Sequence, residues 1–264
     1  MTRPTGADLR AARADLRASG PLVHCITNTV VQTITANALL AAGAAPAMVE
    51  APQEAAEFAR VASALLVNVG TVHSRTEAAM RAAAAAAAEV GTPWVLDPVA
   101  VGPLRYRTAV ATDLLSLRPT VVRGNASEVL ALAGAGRGGR GVDSTDSADD
   151  ALHAAMDLAL RTGGTVSVSG PVDLITDGKV TVRVGGGSDL LTRTTGAGCA
   201  LGALVAAYAA VADPLTATTA AHAHVALAAE RAAAVAAGPG SFAPAWLDAL
   251  DAVRPDDLAD VELR

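Results

Sequence analysis

Short, β-branched apolar runs alternate with alanine-rich stretches of helical length, and a glycine or a polar pair closes nearly every run. That alternation predicts repeated strand–helix units. The expected fold is α/β, with a mostly parallel central sheet flanked by helices in three layers. Strands are expected at 22–26, 47–49, 64–69, 94–96, 120–123, 165–168, 173–176 and 179–184. Helices are expected at roughly 1–18, then at 30–42, 52–62, 75–90, 104–117, 127–132, 148–162, 196–212, 217–236 and 244–250. Gly178 marks a hairpin turn between the last two strands. Residues 134–147, rich in Gly, Ser and Asp, read as a loop, and the acidic tail 254–264 as frayed. With no linker and no internal repeat, residues 1–264 read as one domain.

Composition removes several function classes. Lys and Arg number 20 against 26 Asp and Glu, a net charge of −6, which argues against a nucleic-acid or anionic-membrane surface. Lys179 is the sole lysine and precedes Val180, so no G-x-x-x-x-G-K-[ST] phosphate loop exists. Two cysteines, Cys25 and Cys199, make neither a disulfide framework nor a four-ligand zinc set. The N-terminal stretch is charged and lacks the apolar segment of a secretory signal. The alanine run 82–88 is too short to cross a bilayer and lies between Arg81 and Glu89. A cytoplasmic location with no membrane partner is expected.

In open α/β sheets ligands bind beyond the carboxyl ends of the strands. Here those ends carry Thr27-Asn28, Asn68-Val-Gly-Thr71, Asp97-Pro98, Arg123-Gly-Asn125 and Ser169-Gly170. Single polar groups with glycines beside them suit close approach to a ligand, although loops are polar in any protein. Thr194-Thr-Gly-Ala-Gly-Cys199 then opens an apolar helix. There the N–H groups around Gly196, Ala197 and Gly198 can wrap an anion, and the helix end adds positive potential. Against a phosphoryl group, these donors stabilise charge that develops during transfer. An ordinary glycine-rich helix entry fits as well.

Asp97 and Glu128 are the acids best placed for Mg²⁺, which takes few carboxylates, several waters and substrate phosphates. Glu128 also reads as simple compensation of a helix N-terminus. Arg123 reads as a bidentate phosphate partner or as a loop-pinning residue. Cys199 heads a helix, where a thiol pKa tends to fall; it reads as base, nucleophile or small packing residue. Cys25 and His24 are strand neighbours on opposite faces, and a core thiol is the expected role for Cys25. His222 and His224, two apart on a helix, do not converge on a metal.

Taken in order, these segments resemble the hydroxyethylthiazole kinase family. The resemblance rests on Leu22-Val-His-Cys-Ile-Thr-Asn28, Ala36-Asn-Ala-Leu-Leu40, Ala45-Pro-Ala-Met48, Asn68-Val-Gly-Thr71 and Leu96-Asp-Pro-Val99 with Val101-Gly102. It continues through Arg123-Gly-Asn-Ala-Ser-Glu128, Gly141-Val-Asp-Ser144, Ser169-Gly170, Val172-Asp173, Thr194-Thr-Gly-Ala-Gly-Cys199 and Gly238-Pro-Gly-Ser-Phe242. The ordered set is specific where no single motif is.

The resemblance implies a ribokinase-like fold and a cytosolic, homotrimeric enzyme of thiamine salvage, with each active site near a subunit interface. It would use ATP and Mg²⁺ to phosphorylate 4-methyl-5-(2-hydroxyethyl)thiazole. It further implies that Met48, Asn28 and Gly196 contact the thiazole substrate, and that Arg123 and Ser169 bind ATP. Ser169 replaces a threonine common in relatives and keeps the hydroxyl. Cys199 stands where the wider ribokinase-like group places an aspartate base, which favours the thiazole branch over sugar or pyrimidine kinases and leaves the proton acceptor open between thiolate and phosphate. Ala100 replaces a common glycine, a change expected to matter little. The aromatic set is Phe58, Trp94, Tyr106, Tyr208, Phe242 and Trp246, so the ring pockets are expected to be lined mainly by Met48 and aliphatic side chains. The rivals are another kinase or cofactor-repair enzyme of the same fold, a non-catalytic ATP- or thiazole-binding regulator, and a cysteine hydrolase.

Overall fold

A computed structural model describes residues 2–134 and 148–264. Among them, eight strands form one sheet: β1 (Leu22–Ile26), β2 (Ala45–Ala47), β3 (Ala64–Asn68), β4 (Trp94–Asp97), β5 (Val121–Asn125), β6 (Thr165–Ser169), β7 (Asp173–Thr176) and β8 (Thr181–Val184). Their order is β2-β1-β3-β4-β5-β6-β7-β8. The first six run parallel, and β7 and β8 close the far side as an antiparallel hairpin turning at Gly178, which has φ +87°.

Strand alternation divides the core in two. Val23, Cys25, Leu66 and Val95 point into one face, and Ile26, Leu65, Val67 and Leu96 into the other. The first face is covered by α1 (Gly6–Ser19), α2 (Gln32–Ala42), α8 (Ala197–Ala209), α9 (Pro214–Val235) and α10 (Pro239–Ala252). The second is covered by α3 (Pro52–Val61), α4 (Ser74–Val90), α5 (Arg105–Leu115), α6 (Ala126–Ala133) and α7 (Leu152–Thr162). Alanine dominates these helices, so they lie close to the sheet, and α8 packs on β1, β3 and β4 together. No helix among the described residues is long and apolar enough to cross a membrane.

A buried arginine fastens the first face. Arg13 of α1 donates through Nε to the Val253 carbonyl (3.0 Å), through Nη1 to Ala42 (2.7 Å) and through Nη2 to Leu250 (3.4 Å). These carbonyls lie at the C-terminal ends of α2 and α10, where helices leave acceptors unpaired. His224 also donates to Leu250, and its other ring nitrogen meets the Tyr208 hydroxyl at 3.0 Å.

Several expected boundaries move for identifiable reasons. The strand expected at 47–49 is Ala45–Ala47. The helix expected at 217–236 begins at Pro214, because the Asp213 carboxylate accepts the Leu215 and Thr216 N–H groups, both at 3.2 Å. The helix expected at 244–250 is the longer Pro239–Ala252: Pro244 sits near its start and removes a single backbone donor. The tail 254–264 is not frayed. It forms α11 (Pro255–Ala259), which buries Leu258 and packs against α1. Leu263 then bridges to Val184 of β8, and Arg183 and Arg264 exchange backbone hydrogen bonds at 2.7 and 3.1 Å. The loop expected at 134–147 and the motif Gly141-Val-Asp-Ser144 fall on residues outside those described, apart from Gly134, which ends α6.

Candidate active site

The carboxyl edge of the parallel strands brings Asn28, Asn68, Asp97, Arg123 and Ser169 together at the N-terminus of α8. Register makes this possible, since Asn68 pairs with Asp97 across β3 and β4, and Asn125 with Ser169 across β5 and β6. A line of hydrogen bonds crosses the strands. Asn68 Nδ2 donates to Asp97 Oδ2 at 2.6 Å, and Asn28 Nδ2 donates to Asn68 Oδ1 at 3.1 Å and to Cys199 Sγ at 3.4 Å. Gly70 also donates its N–H to Asn68 Oδ1 (2.9 Å), so Asn68 is held from both sides. Asn68 received no role from the sequence. The signal that could have found it was a polar residue ending a strand that is apolar throughout.

Asp97 and Arg123 are both buried and only loosely paired, with Nη1 3.6 Å from Oδ1. Asp97 Oδ1 and Arg123 Nε have no hydrogen-bond partner among the described residues. Arg123 Nη2 donates to the Ser169 hydroxyl at 2.8 Å. Burial pushes the Asp97 carboxyl up to about 7, and Glu128 adds to this while Arg123 and Asn68 oppose it. Burial also works against the charge on Arg123, but Asp97 and Glu128 outweigh it and raise its pKa.

Glycines bring α8 up to this pair. A Cβ at Gly198 would lie 3.2 Å from both terminal nitrogens of Arg123, and one at Gly202 would lie 3.2 Å from Asp97 Oδ2. Gly196, the residue before α8, has φ +90°, and a Cβ there would lie 2.5 Å from Ile34. The Ala197 N–H donates to the Thr194 carbonyl at 3.2 Å and that of Ala200 to Gly196 at 2.8 Å. Gly198 and Cys199 are therefore the first-turn N–H groups best placed to receive an anion.

The Cys199 thiol departs from expectation. A helix N-terminus lowers a thiol pKa, yet burial and, next, the nearby Asp97 push this one up to about 11. Cys25 is a core thiol, as expected, and burial alone pushes it up to about 12.

Glu128 caps its own helix: its N–H donates to Asn125 Oδ1 (2.9 Å), and its Oε2 accepts the Asn125 N–H (2.9 Å). Its Oε1 accepts the Ala100 N–H at 2.9 Å. Ala100 has φ +57°, the left-handed region that favours glycine, so its methyl carries a small backbone strain. No group of three or more His, Cys, Asp or Glu that could cage a metal occurs among the described residues. The orphaned Asp97 oxygen, with Glu128 as a second hard donor, instead suits a cation that keeps its waters.

A cavity of about 620 Å³ lies beside Arg123, Ser169, Gly187, Leu191, Gly198 and Val225, and no aromatic residue lines it. Trp94, Trp246, Tyr208 and Phe242 are buried in the two cores instead. Met48 follows β2, the outermost strand, and packs half-buried on the first core, three strands from Asp97. Unlike Asn28 and Gly196, the other expected thiazole residues, it is not gathered around α8. The neighbouring segment is tied down by His24, whose Nε2 donates to the Val49 carbonyl at 2.7 Å and whose ring meets Phe58 edge-on.

Known proteins resemble this chain over nearly its whole length. A hydroxyethylthiazole kinase from Kineococcus radiotolerans is 66% identical over 256 residues, covering 96% of this chain and 93% of its own. One from Clavibacter sepedonicus is 55% identical over 98% of this chain and 94% of its own. The solved hydroxyethylthiazole kinase of Pyrococcus horikoshii superposes with a TM-score of 0.89 at 38% identity, over 97% of this chain and 98% of that one. A pyridoxal kinase of Bacillus subtilis, solved with ADP, superposes at 0.60 with 17% identity over 80% of this chain and 91% of its own. At that identity the likeness carries the fold alone, and it is the ribokinase-like arrangement. Residues 14–256 match the sequence pattern of one family, and the chain belongs to it: the hydroxyethylthiazole kinase family.

Proposed function

We propose that this protein transfers the γ-phosphoryl group of ATP to the primary hydroxyl of 4-methyl-5-(2-hydroxyethyl)thiazole, a reaction of thiamine biosynthesis and salvage. One observation carries the reading beyond family membership. The N-terminus of α8 stands between Arg123 with Ser169 on one side and Asn28 on the other. Two ligands can therefore meet over one set of backbone donors.

In the proposed step a new O–P bond forms at the thiazole hydroxyl as the bond from the γ-phosphorus to the bridging oxygen breaks, and ADP leaves. Phosphoryl transfer demands positioning and charge stabilisation rather than covalent catalysis. The N–H groups at Gly198 and Cys199 receive the transferring oxygens, and Arg123 adds charge from the side. Asp97 and Glu128 would hold Mg²⁺ largely through water, and the ion would neutralise phosphate charge. Asn28, Gly196 and Met48 face the thiazole. The Cys199 thiol, held protonated by burial, is a poor base, so the hydroxyl proton passes to an oxygen of the transferring phosphoryl group.

The whole chain acts as one kinase domain in this reading, located in the cytoplasm and assembled as a trimer. Val30 and Leu40, exposed at 68% and 59%, flank or lie on α2, beside β2, and are apolar surface that partner copies would cover. Light scattering on the eluted protein checks the trimer. The activity is tested by incubating the protein with ATP, Mg²⁺ and hydroxyethylthiazole, hydroxymethylpyrimidine or ribose, and following ADP release. ADP release with the thiazole is expected; release with the pyrimidine alone would overturn the assignment.

A further inference from the structure

His222 is fully buried in the middle of α9, and its Nδ1 donates to Asp173 Oδ2 at 2.7 Å. The other oxygen of Asp173 accepts the Gly170 N–H at 2.9 Å. Gly170 directly follows Ser169, whose hydroxyl receives Arg123 Nη2 at 2.8 Å. An unbroken path thus runs from the ring of His222, through the Asp173 carboxylate and the turn after β6, to the guanidinium at the head of α8. We propose that Asp173 and His222 are positioning residues for the nucleotide side of the site, a role that rests on the phosphotransfer reading above.

Two observations favour this over an ordinary buried His–Asp pair. First, Asp173 lines the same cavity as Arg123 and Ser169. Each of its oxygens is engaged by a donor, which fixes the orientation of the carboxylate at the cavity edge. Second, His222 lies three and four residues before Val225 and Ala226, which line the cavity from α9. One face of α9 therefore supplies both the cavity wall and the ring that steadies Asp173. The carboxylate ties back the turn through the Gly170 N–H, and the turn carries the hydroxyl that Arg123 uses. Small misplacements of such a group are costly in phosphoryl transfer.

The test uses the full chain. His222→Phe keeps the ring volume and removes the donor; His222→Asn returns a donor near the position of Nδ1. His222→Phe is expected to raise the KM for ATP about 10-fold while the KM for the thiazole stays within about 2-fold, and His222→Asn to recover most of the loss. A purely structural role would lower Tm and the active fraction and leave the KM for ATP unchanged, and that result would overturn the proposal. Should His222→Phe fail to fold, Asp173→Ala interrupts the same path at its exposed end, and its ADP dissociation constant, read by calorimetry, is expected to weaken about 10-fold. Unchanged ADP binding would likewise overturn the proposal. Absence of thiazole turnover in the unmodified protein would count against the phosphotransfer reading instead, and ADP titration would still decide the positioning role.

Discussion

Among the described residues two arginines are buried, and they are treated in opposite ways. Arg13 places each of its three nitrogens on a helix-terminal carbonyl, and the neighbouring Tyr208 and His224 close on each other and on Leu250. Among the described residues Arg123 has one hydrogen bond, a loose ion pair at 3.6 Å and a bare Nε, and its partner Asp97 keeps an orphaned oxygen. Buried polar groups are normally satisfied, so the closed cluster reads as fastening and the open one as capacity held for ligands. Burial alone marks neither as functional; the difference lies in what remains unpaired.

Exchanging each arginine for methionine gives the sharpest test of this contrast. Arg13→Met strips the C-terminal ends of α2 and α10 of a shared donor and is expected to destabilise by about 3 kcal/mol, with kcat per folded molecule unchanged. Arg123→Met should lower kcat/KM by about 10²–10³-fold and cost less stability than Arg13→Met, because the Asp97 carboxyl left behind can take up a proton. Urea melts and steady-state kinetics on both variants check this, and equal destabilisation would erase the distinction.

Acid probes the closed cluster next. Burial, followed by Arg13, depresses His224 to about 3, while an unfolded histidine titrates near 6.5. The native state therefore refuses a proton that the unfolded chain accepts. His224's contribution is complete above pH 6.5 and erodes as pH falls from there toward 3. Between pH 6.5 and 5 the loss is about 2 kcal/mol, and His224→Gln should flatten that slope in urea melts at the two pH values.

In the open cluster, Cys199→Ala should reduce kcat by less than about 10-fold, because the thiol is already protonated. A loss of about 10²-fold or more would make the thiolate the base after all. The smallest effect is at Ala100, where glycine should relieve the left-handed backbone. After the added unfolded-state entropy, the gain is about 0.5 kcal/mol, or about 1–2 °C in Tm by calorimetry.

Much of this architecture is legible in the chain itself, because apolar runs closed by glycine announce strands and their carboxyl ends announce the site. Asn28, Asp97, Arg123, Ser169 and Cys199 all follow from that rule together with the resemblance. What escapes depends on contacts between segments distant in sequence. The part played by Asn68 exists only because register sets it beside Asp97. The raised thiol of Cys199 comes from burial and a carboxylate on another strand, which outweigh its helix position. The acidic tail looks solvated until Leu258 and Leu263 find α1 and β8. The short strand at Ala45–Ala47 is hidden by Pro46, a residue no central strand would accept.

That proline has a further consequence, for how copies of the chain meet one another. A sheet with free edges invites a neighbour to add a strand, and uncontrolled addition ends in aggregates. Here one margin is the three-residue β2, interrupted by a residue with no N–H to offer, and the opposite margin, β8, is partly occupied by the chain's own Leu263 and Arg264. Sheet-to-sheet growth is blunted at both ends. Copies are left to associate through side-chain surfaces, whose fit can be selective, rather than through exposed backbone, which pairs with any strand.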